Sequence, residues 1–366
     1  MIFIYFLFIY LFFVFYFNYK YPEIRWKWNN IDASKVSFPK HFFWGTATAA
    51  HQIEGDNKNN NWSLWEKQKN NKGKTGIKDG QISGTACDQW NRYKDDISLL
   101  KNLNVSHYRI SIEWSKIEPE KGIYNKSAIN HYSNVIDSLK KENITPVITL
   151  HHFTNPVWFD KMGGFEKEKN ILQFVSFCKK VFLEYSDRVK IWCTINEPEV
   201  YAVMGYFEGS FPPGKKDPQT TVNIIKHLLI AHIKVYKALK ALPRGKESNI
   251  GIVKNIMQFD PYRKWHILDW FACRITNFIF NDFIISFFVK GKIKFNIPFF
   301  AKINYNPKGE QIKTDFFGLN YYSHVHLKFK MNTKEFFENK YFESDIMTDM
   351  PYAIYPEGFY RAIKSV

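Results

Sequence analysis

The amino-acid sequence predicts an α/β fold built on a parallel sheet, and three features carry that prediction. Short segments rich in β-branched and aromatic residues recur at 42–49, 107–114, 145–152, 190–197, 249–256 and 315–323. Helical periodicities fill the intervals, at 89–103, 128–141, 171–185, 222–242 and 265–288. Such alternation calls for crossover helices between parallel strands. The strand segments are also apolar almost without a break, as strands covered on both faces are. No glycine-rich phosphate fingerprint follows the first strand, which argues against a dinucleotide-binding sheet. A (β/α)8 TIM barrel is the preferred architecture.

Taken in order, the chain opens on residues 1–17, MIFIYFLFIYLFFVFYF, an uninterrupted apolar run at the lower length limit for spanning a bilayer. No Lys or Arg precedes it and no small-residue cleavage site follows, so it does not read as a secretory signal. Lys20, Arg25 and Lys27 come after it, and the positive-inside tendency then holds the bulk of the chain in the cytoplasm. Residues 1–20 are therefore expected to form an uncleaved membrane anchor, with a mis-assigned start codon as the alternative. The later apolar stretch 267–289 is interrupted by Asp269, Arg274, Asn277, Asn281 and Asp282, and reads as a buried helix.

Polar residues gather where the predicted strands end. Gln52 and Glu54 follow the first strand, and Arg109 and Glu113 lie on the second. His152 closes the third, Asn196 and Glu197 the fourth, and Asn320 and Tyr322 the sixth. In a TIM barrel the C-terminal strand ends build the active site, and packing does not explain polar groups recurring at that position. Pro198, which lacks an N–H, stops the ladder directly after Glu197 and sets that carboxylate at the barrel mouth. A carboxyl there can be tuned by burial to act as a general acid, although a turn capping the next helix uses the same residues. His151 and His152 point to opposite faces of a strand and cannot share one metal ion. His152 is the member expected to make a polar contact. Arg109, on an otherwise core-like strand, needs either a substrate or a carboxylate such as Glu113.

The composition is that of a globular chain, with 45% hydrophobic and 23% charged residues. The net charge of +16 comes with over-used Phe, Ile, Asn, Tyr and Lys, all specified by AT-rich codons. Lysines such as Lys67, Lys69, Lys72, Lys74 and Lys78 are scattered among acids, and no binding motif accompanies them, so nucleic acid is not an expected partner. Cys87, Cys178, Cys193 and Cys273 show no metal-ligand spacing and read as reduced, mostly buried thiols; neither a metal nor a cofactor is expected. Trp44, Trp62, Trp65, Trp90, Trp114, Trp158 and Trp192 read mostly as core, with one or two free to cover a sugar ring. Gln, His, Asn, Glu, Arg and Tyr among aromatics favour a neutral polyhydroxyl ligand, and two carboxylates are the machinery of glycoside hydrolysis.

These motifs resemble family 1 of the glycoside hydrolases, the β-glucosidase and β-galactosidase group. The resemblance rests on Phe43-Trp44-Gly45-Thr46-Ala47-Thr48-Ala49-Ala50-His51-Gln52-Ile53-Glu54-Gly55, Tyr108-Arg109-Ile110-Ser111-Ile112-Glu113-Trp114-Ser115 and Leu150-His151-His152-Phe153. It continues through Thr194-Ile195-Asn196-Glu197-Pro198, Asp315-Phe316-Phe317-Gly318-Leu319-Asn320-Tyr321-Tyr322 and Tyr355-Pro356-Glu357-Gly358, in family order across residues 36–366. The resemblance implies that Glu197 is the acid/base and that Asn196 binds the sugar 2-hydroxyl. It further implies glycone contacts for Gln52 and His152, an orienting role toward the nucleophile for Arg109 and Tyr322, and a site position for Asn320. Phe153 stands where the family usually has Trp. The family's nucleophile lies in an Ile/Val-Thr-Glu-Asn-Gly motif on strand seven, and no such motif occurs in the 366 residues. About six of eight βα units are thus expected, an incomplete barrel truncated before the nucleophile, ending in an amphipathic helix with Phe359, Ile363 and Val366 on one face. The implied activity is retaining hydrolysis of β-glucosides or β-galactosides in the complete gene product. A non-catalytic sugar- or protein-binding descendant and a phospho-β-glycosidase are the alternatives.

Overall fold

The computed structural model describes residues 2–69, 73, 75–297, 300–307, 312–330, 337–350 and 352–366. Lys72 and Lys74 of the scattered lysine group lie outside them. The chain divides into two compact units, Pro39–Lys254 with Lys292–Gly318, and Met1–Phe38 with Asn255–Gly291 and Leu319–Val366.

The larger unit is organised by a six-stranded sheet. Its strands are β1 (Gly45–Ala47), β2 (His107–Ser111), β3 (Thr145–His151), β4 (Ile191–Asn196), β5 (Asn249–Asn255) and β6 (Phe316–Asn320), adjacent in chain order. The pairings from β1 to β5 are parallel, with Ala47 beside Arg109, Ser111 beside Thr149 and His151 beside Ile195. Ile148, Leu150, Trp192, Ile195, Ile250 and Ile252 on the central strands are fully buried, whereas the edge strands β1 and β6 are partly exposed. Gly251 on β5 meets the Phe316 ring so closely that an added Cβ would stand 2.5 Å from it, which requires glycine there.

The crossover helices follow from capping and periodicity. Lys126–Lys141 starts at Asn125, whose side chain accepts from the backbone N–H groups of Ser127 and Ala128. It buries Ile129, Tyr132, Val135, Ile136 and Leu139 on one stripe and ends with Lys140 and Lys141 against its negative pole. Gln89–Asn102 and Ile171–Tyr185 match the expected helices to within a residue. The helix expected over 222–242 begins a turn earlier, at Pro218, because Asp217 caps the N–H of Thr220 and Pro occupies the first helical position. A hairpin at Ile293–Ile297 and Ala301–Tyr305 had no counterpart in the sequence reading.

The smaller unit holds a 19-residue helix, Ile2–Lys20, whose residues Phe3 to Phe13 are mostly exposed. Its last turns are engaged: Val14 is buried, Phe17 stacks on Trp270, and Asn18 Nδ2 donates to the carbonyl of Lys264. The stretch 267–289 is a partly buried helical run, Ile267–Asn277, a π-turn at Phe278–Asp282, then Phe283–Lys290. Like Phe3–Lys20 it is long and apolar enough to cross a membrane, but Asp269 is fully buried in an ion pair with Arg263. A three-stranded sheet orders Phe337–Lys340, His324–Phe329 and Gln258–Pro261. On the face toward Ile267–Asn277, Val325 and Leu327 form a core with Ala272 and Cys273. The C-terminal helix, Glu357–Ser365, buries Gly358 and Ala362 and leaves Phe359 and Ile363 about half exposed. Cys178, Cys193 and Cys273 are buried and Cys87 exposed, all with free thiols. The tryptophan expectation is corrected: Trp114 and Trp192 are core, Trp44 is exposed, and Trp62, Trp65, Trp90 and Trp158 lie between, the last four standing on helices and not on the sheet.

Candidate active site

The carboxylate singled out in the sequence lies one residue beyond the end of β4. Pro198 at the first position of helix Pro198–Ala202 terminates the ladder, and Glu197 turns the chain through a left-handed conformation, φ 49° and ψ 66°. Its N–H donates to the carbonyl of Val253 on β5 at 2.7 Å, so the turn is locked to the neighbouring strand. Left-handed backbone is uncommon for a residue with a Cβ and concentrates where function imposes a geometry. Glu197 is 4% exposed, so its carboxyl is enclosed by protein.

Asn196, the last residue of β4, is likewise buried and receives Arg109: Nη2 donates to Asn196 Oδ1 at 2.6 Å and Nε donates to Thr149 Oγ1 at 2.8 Å. One guanidinium thus spans β2, β3 and β4 on a single face of the sheet. Of the two readings for Arg109, the ion pair with Glu113 is corrected. Both Arg109 bonds go to neutral oxygens, and the Glu113 carboxylate instead accepts from Ser115 Oγ and Thr154 Oγ1.

The paired histidines divide as strand alternation demands. His151 packs edge-on against Phe165, Phe174 and Tyr201, and its Nε2 shares a hydrogen bond with Asn155 Oδ1 at 2.9 Å. His152 stands on the Arg109 side, and burial, with Arg109 and His151 nearby, pulls its pKa down to about 3. It is therefore a neutral imidazole at physiological pH, and its buried Nδ1 has no hydrogen-bond partner within the protein. A buried polar nitrogen without a partner suits a ligand hydroxyl. Phe153 follows with φ 70°, and its ring lies 6.1 Å from Phe211, which meets Trp62 edge-on at 4.8 Å. These rings form an aromatic wall beside His152.

Gln52 falls on the short helix Ala50–Ile53 with its side chain exposed. Asn320 and Tyr322 belong to the smaller unit, where the Asn320 carbonyl accepts from the Ile256 N–H and Tyr322 stacks on Tyr352. Sequence reasoning missed the support around these groups. Glu54 accepts from Tyr132 Oη and pairs with Lys116 at 3.2 Å; burial raises its pKa against both partners. Glu199 and Lys254, both fully buried, pair at 3.2 Å directly behind Pro198. A Lys inside the apolar β5 run was the signal for that pair. A cavity of about 360 Å³ lined by Glu54, Lys116 and Trp90 is bordered by none of the residues given site roles from the sequence.

The parallel sheet, with an enclosed carboxylate, an Arg–Asn pair and a neutral histidine at its strand ends, is the incomplete barrel of a (β/α)8 glycosidase fold. The chain belongs to glycosyl hydrolase family 1, whose description matches residues 34–366. The reaction of this family is retaining hydrolysis of β-glycosidic bonds. The chain is 34% identical over 341 residues to a 1,4-beta-D-glucan glucohydrolase of Thermotoga neapolitana, covering 90% of this chain and 78% of that protein. It is 32% identical to Beta-glucosidase A of Acetivibrio thermocellus, covering 89% and 75%. Among solved structures it resembles a beta-glycosidase from Pyrococcus horikoshii, with a TM-score of 0.78 and 35% identity over 90% of this chain and 73% of that one. It also resembles the Thermotoga maritima beta-glucosidase in complex with glucoimidazole, with a TM-score of 0.79 and 31% identity over 90% and 75%.

Proposed function

We propose that this chain carries the acid/base half of a β-glucosidase site, with Glu197 as the proton donor. The observation that carries the reading is the position of Glu197, enclosed at a strand end in a strained turn beside Asn196. In the first step Glu197 gives its proton to the glycosidic oxygen while a second carboxylate attacks the anomeric carbon, forming a glycosyl-enzyme and releasing the aglycone. In the second step Glu197, now a carboxylate, takes a proton from water as the water attacks the anomeric carbon, and the bond to the second carboxylate breaks to free the sugar and return that group as a carboxylate. Asn196, steadied by Arg109, is the donor for the sugar 2-hydroxyl. His152, neutral, and Gln52 contact other glycone hydroxyls, Asn320 is a further contact, and Arg109 and Tyr322 orient the attacking carboxylate. Glucose as the glycone follows the names of the relatives. Retention requires the two carboxyls roughly 5 Å apart. The attacking one is not assigned to any residue of this sequence.

The test is hydrolysis of a chromogenic aryl β-glucoside by this chain joined to a segment that supplies the attacking carboxylate. Glu197→Gln is expected to lower kcat by about 10²–10⁴, most for poor leaving groups. Added azide should restore turnover with an activated glucoside and yield a β-glycosyl azide, because azide needs no general base. Undiminished hydrolysis in that variant would remove Glu197 from the role. The 366 residues alone are expected to show no turnover.

A further inference from the structure

We propose that the smaller unit contains a divalent transition-metal site of the Zn2+ class, formed by Glu23, His324 and His326. His324 and His326 alternate with Val325 along one strand, so both imidazoles leave the sheet on the face opposite the apolar core. Both side chains are fully buried, and Glu23, from the segment after the N-terminal helix, is 5% exposed. One donor atom from each of the three lies within 4.8 Å of the others.

Three details point to a metal rather than to a hydrogen-bonded cluster. His324 Nε2 and both nitrogens of His326 are buried without a hydrogen-bond partner in the protein. Unsatisfied imidazole nitrogens at this depth are costly, and a metal ion satisfies them. Secondly, His326 Nε2 and Glu23 Oε1 stand 3.5 Å apart. That is long for a hydrogen bond but close to the edge of a Zn2+ tetrahedron, about 3.3 Å for bonds of roughly 2.0 Å. Thirdly, the outer groups are those that orient ligands. His324 Nδ1 faces Asp260 Oδ2 at 3.3 Å, which turns Nε2 toward the site, and Arg361 holds Asp260 through two bonds of 2.8 Å. Asp345 Oδ2 lies 4.0 Å from His326 Nδ1 on the other side of that ring. Tyr355 stacks on His324 and Phe342 closes over His326, which fixes both planes.

Arg25 and Lys264 also contact Glu23, at 2.7 and 3.0 Å, but both are about half exposed and can swing into water when a cation binds. Glu23 precedes the family-matched region, so the site ties a segment outside that region to a strand inside it. The ion would act as a clasp, with two imidazoles, one carboxylate and a water as ligands.

The experiment is equilibrium dialysis of the metal-stripped full chain against Zn2+, with X-ray absorption at the zinc edge. One Zn2+ per chain is expected, with two imidazoles and two oxygens in the first shell. His326→Asn should abolish the tight equivalent, Glu23→Gln should weaken it at least tenfold, and His227→Asn, on the larger unit and not among the three ligands, should leave it intact. A wild-type chain that takes up no Zn2+ at micromolar concentration overturns the proposal. So does a sulfur ligand in the spectrum, or a stoichiometry unchanged by His326→Asn. Should that variant fail to fold, the wild-type spectrum decides by its imidazole count.

Discussion

Glu197 combines two demands that conflict in an ordinary residue, a carboxylate at a strand end and a left-handed backbone. The conformation costs about 1–2 kcal/mol for a side chain with a Cβ, less for Asn. Glu197→Asn is expected to raise the thermal midpoint of the chain by a few degrees, as differential scanning calorimetry would register, although it removes the proton donor. The buried histidines set the acid limit of the fold. Burial lowers His131, His151 and His232 to about 4 and His152 to about 3. Below the unfolded value near 6.5 the unfolded chain therefore binds protons that the folded chain refuses, so stability falls as pH drops from about 6.5 toward 4. Asp160, raised to about 7 by burial, works in the opposite direction, losing stability as pH rises between about 4 and 7. With these four histidines set against Asp160 and more weakly raised carboxyls such as Glu54, the midpoint is expected to fall on acidification. His151→Gln, which can keep a donor toward Asn155, should flatten part of that slope in thermal melts at pH 4.5 and 6.5. His151 and His152 were legible as a divided pair because strand alternation is local. The bond from Arg109 to Asn196 was not, since it crosses an intervening strand.

The connection from β4 into helix Pro198–Ala202 is held from behind by Glu199 and Lys254, an ion pair with no exposed surface. Removing one member leaves a bare charge in the interior, so Lys254→Met is expected to destabilise the chain by about 3–5 kcal/mol in urea unfolding. The double change Glu199→Leu with Lys254→Met should recover most of that loss; a loss equal to the sum of the singles would mean that the two residues act independently. Strand and helix positions were readable because periods of 2 and 3.6 residues are written into consecutive residues. β4 and helix Ile171–Tyr185 came out within a residue or two. The helix start at Pro218 was missed although Asp217 and Pro218 carried the signal, because the apolar stripe begins only at Val222. The hairpin at Ile293–Ile297 was missed although Ile293, Phe295 and Ile297 alternate with Lys294 and Asn296, a period of two that the sequence does carry.

Across the whole chain, the N-terminal helix presents Phe3 to Phe13 outward while Val14, Phe17 and Asn18 hold it to the smaller unit. We infer that residues 1–20 are a membrane-attachment element and residues 36–366 the glycosidase domain. In flotation with anionic vesicles, the intact chain is expected to rise with the lipid and a chain lacking residues 2–13 to stay in the aqueous layer. Equal behaviour of the two would sink that reading. The sequence by itself determined the class: the order of strands and helices, the parallel sheet, the polar strand ends and the family. Each of these follows from residues near one another in the chain, where backbone sterics and periodic burial act. Only the tertiary structure decided which side chains meet. Glu23 reaches His324 and His326 across about 300 positions, and Arg109 reaches Asn196 across 87. The lack of cysteine ligand spacing pointed away from a metal, and the fold assembles a donor set that no local spacing announces. Such meetings depend on how the elements pack, which side-chain volume and burial settle together rather than any single stretch of sequence.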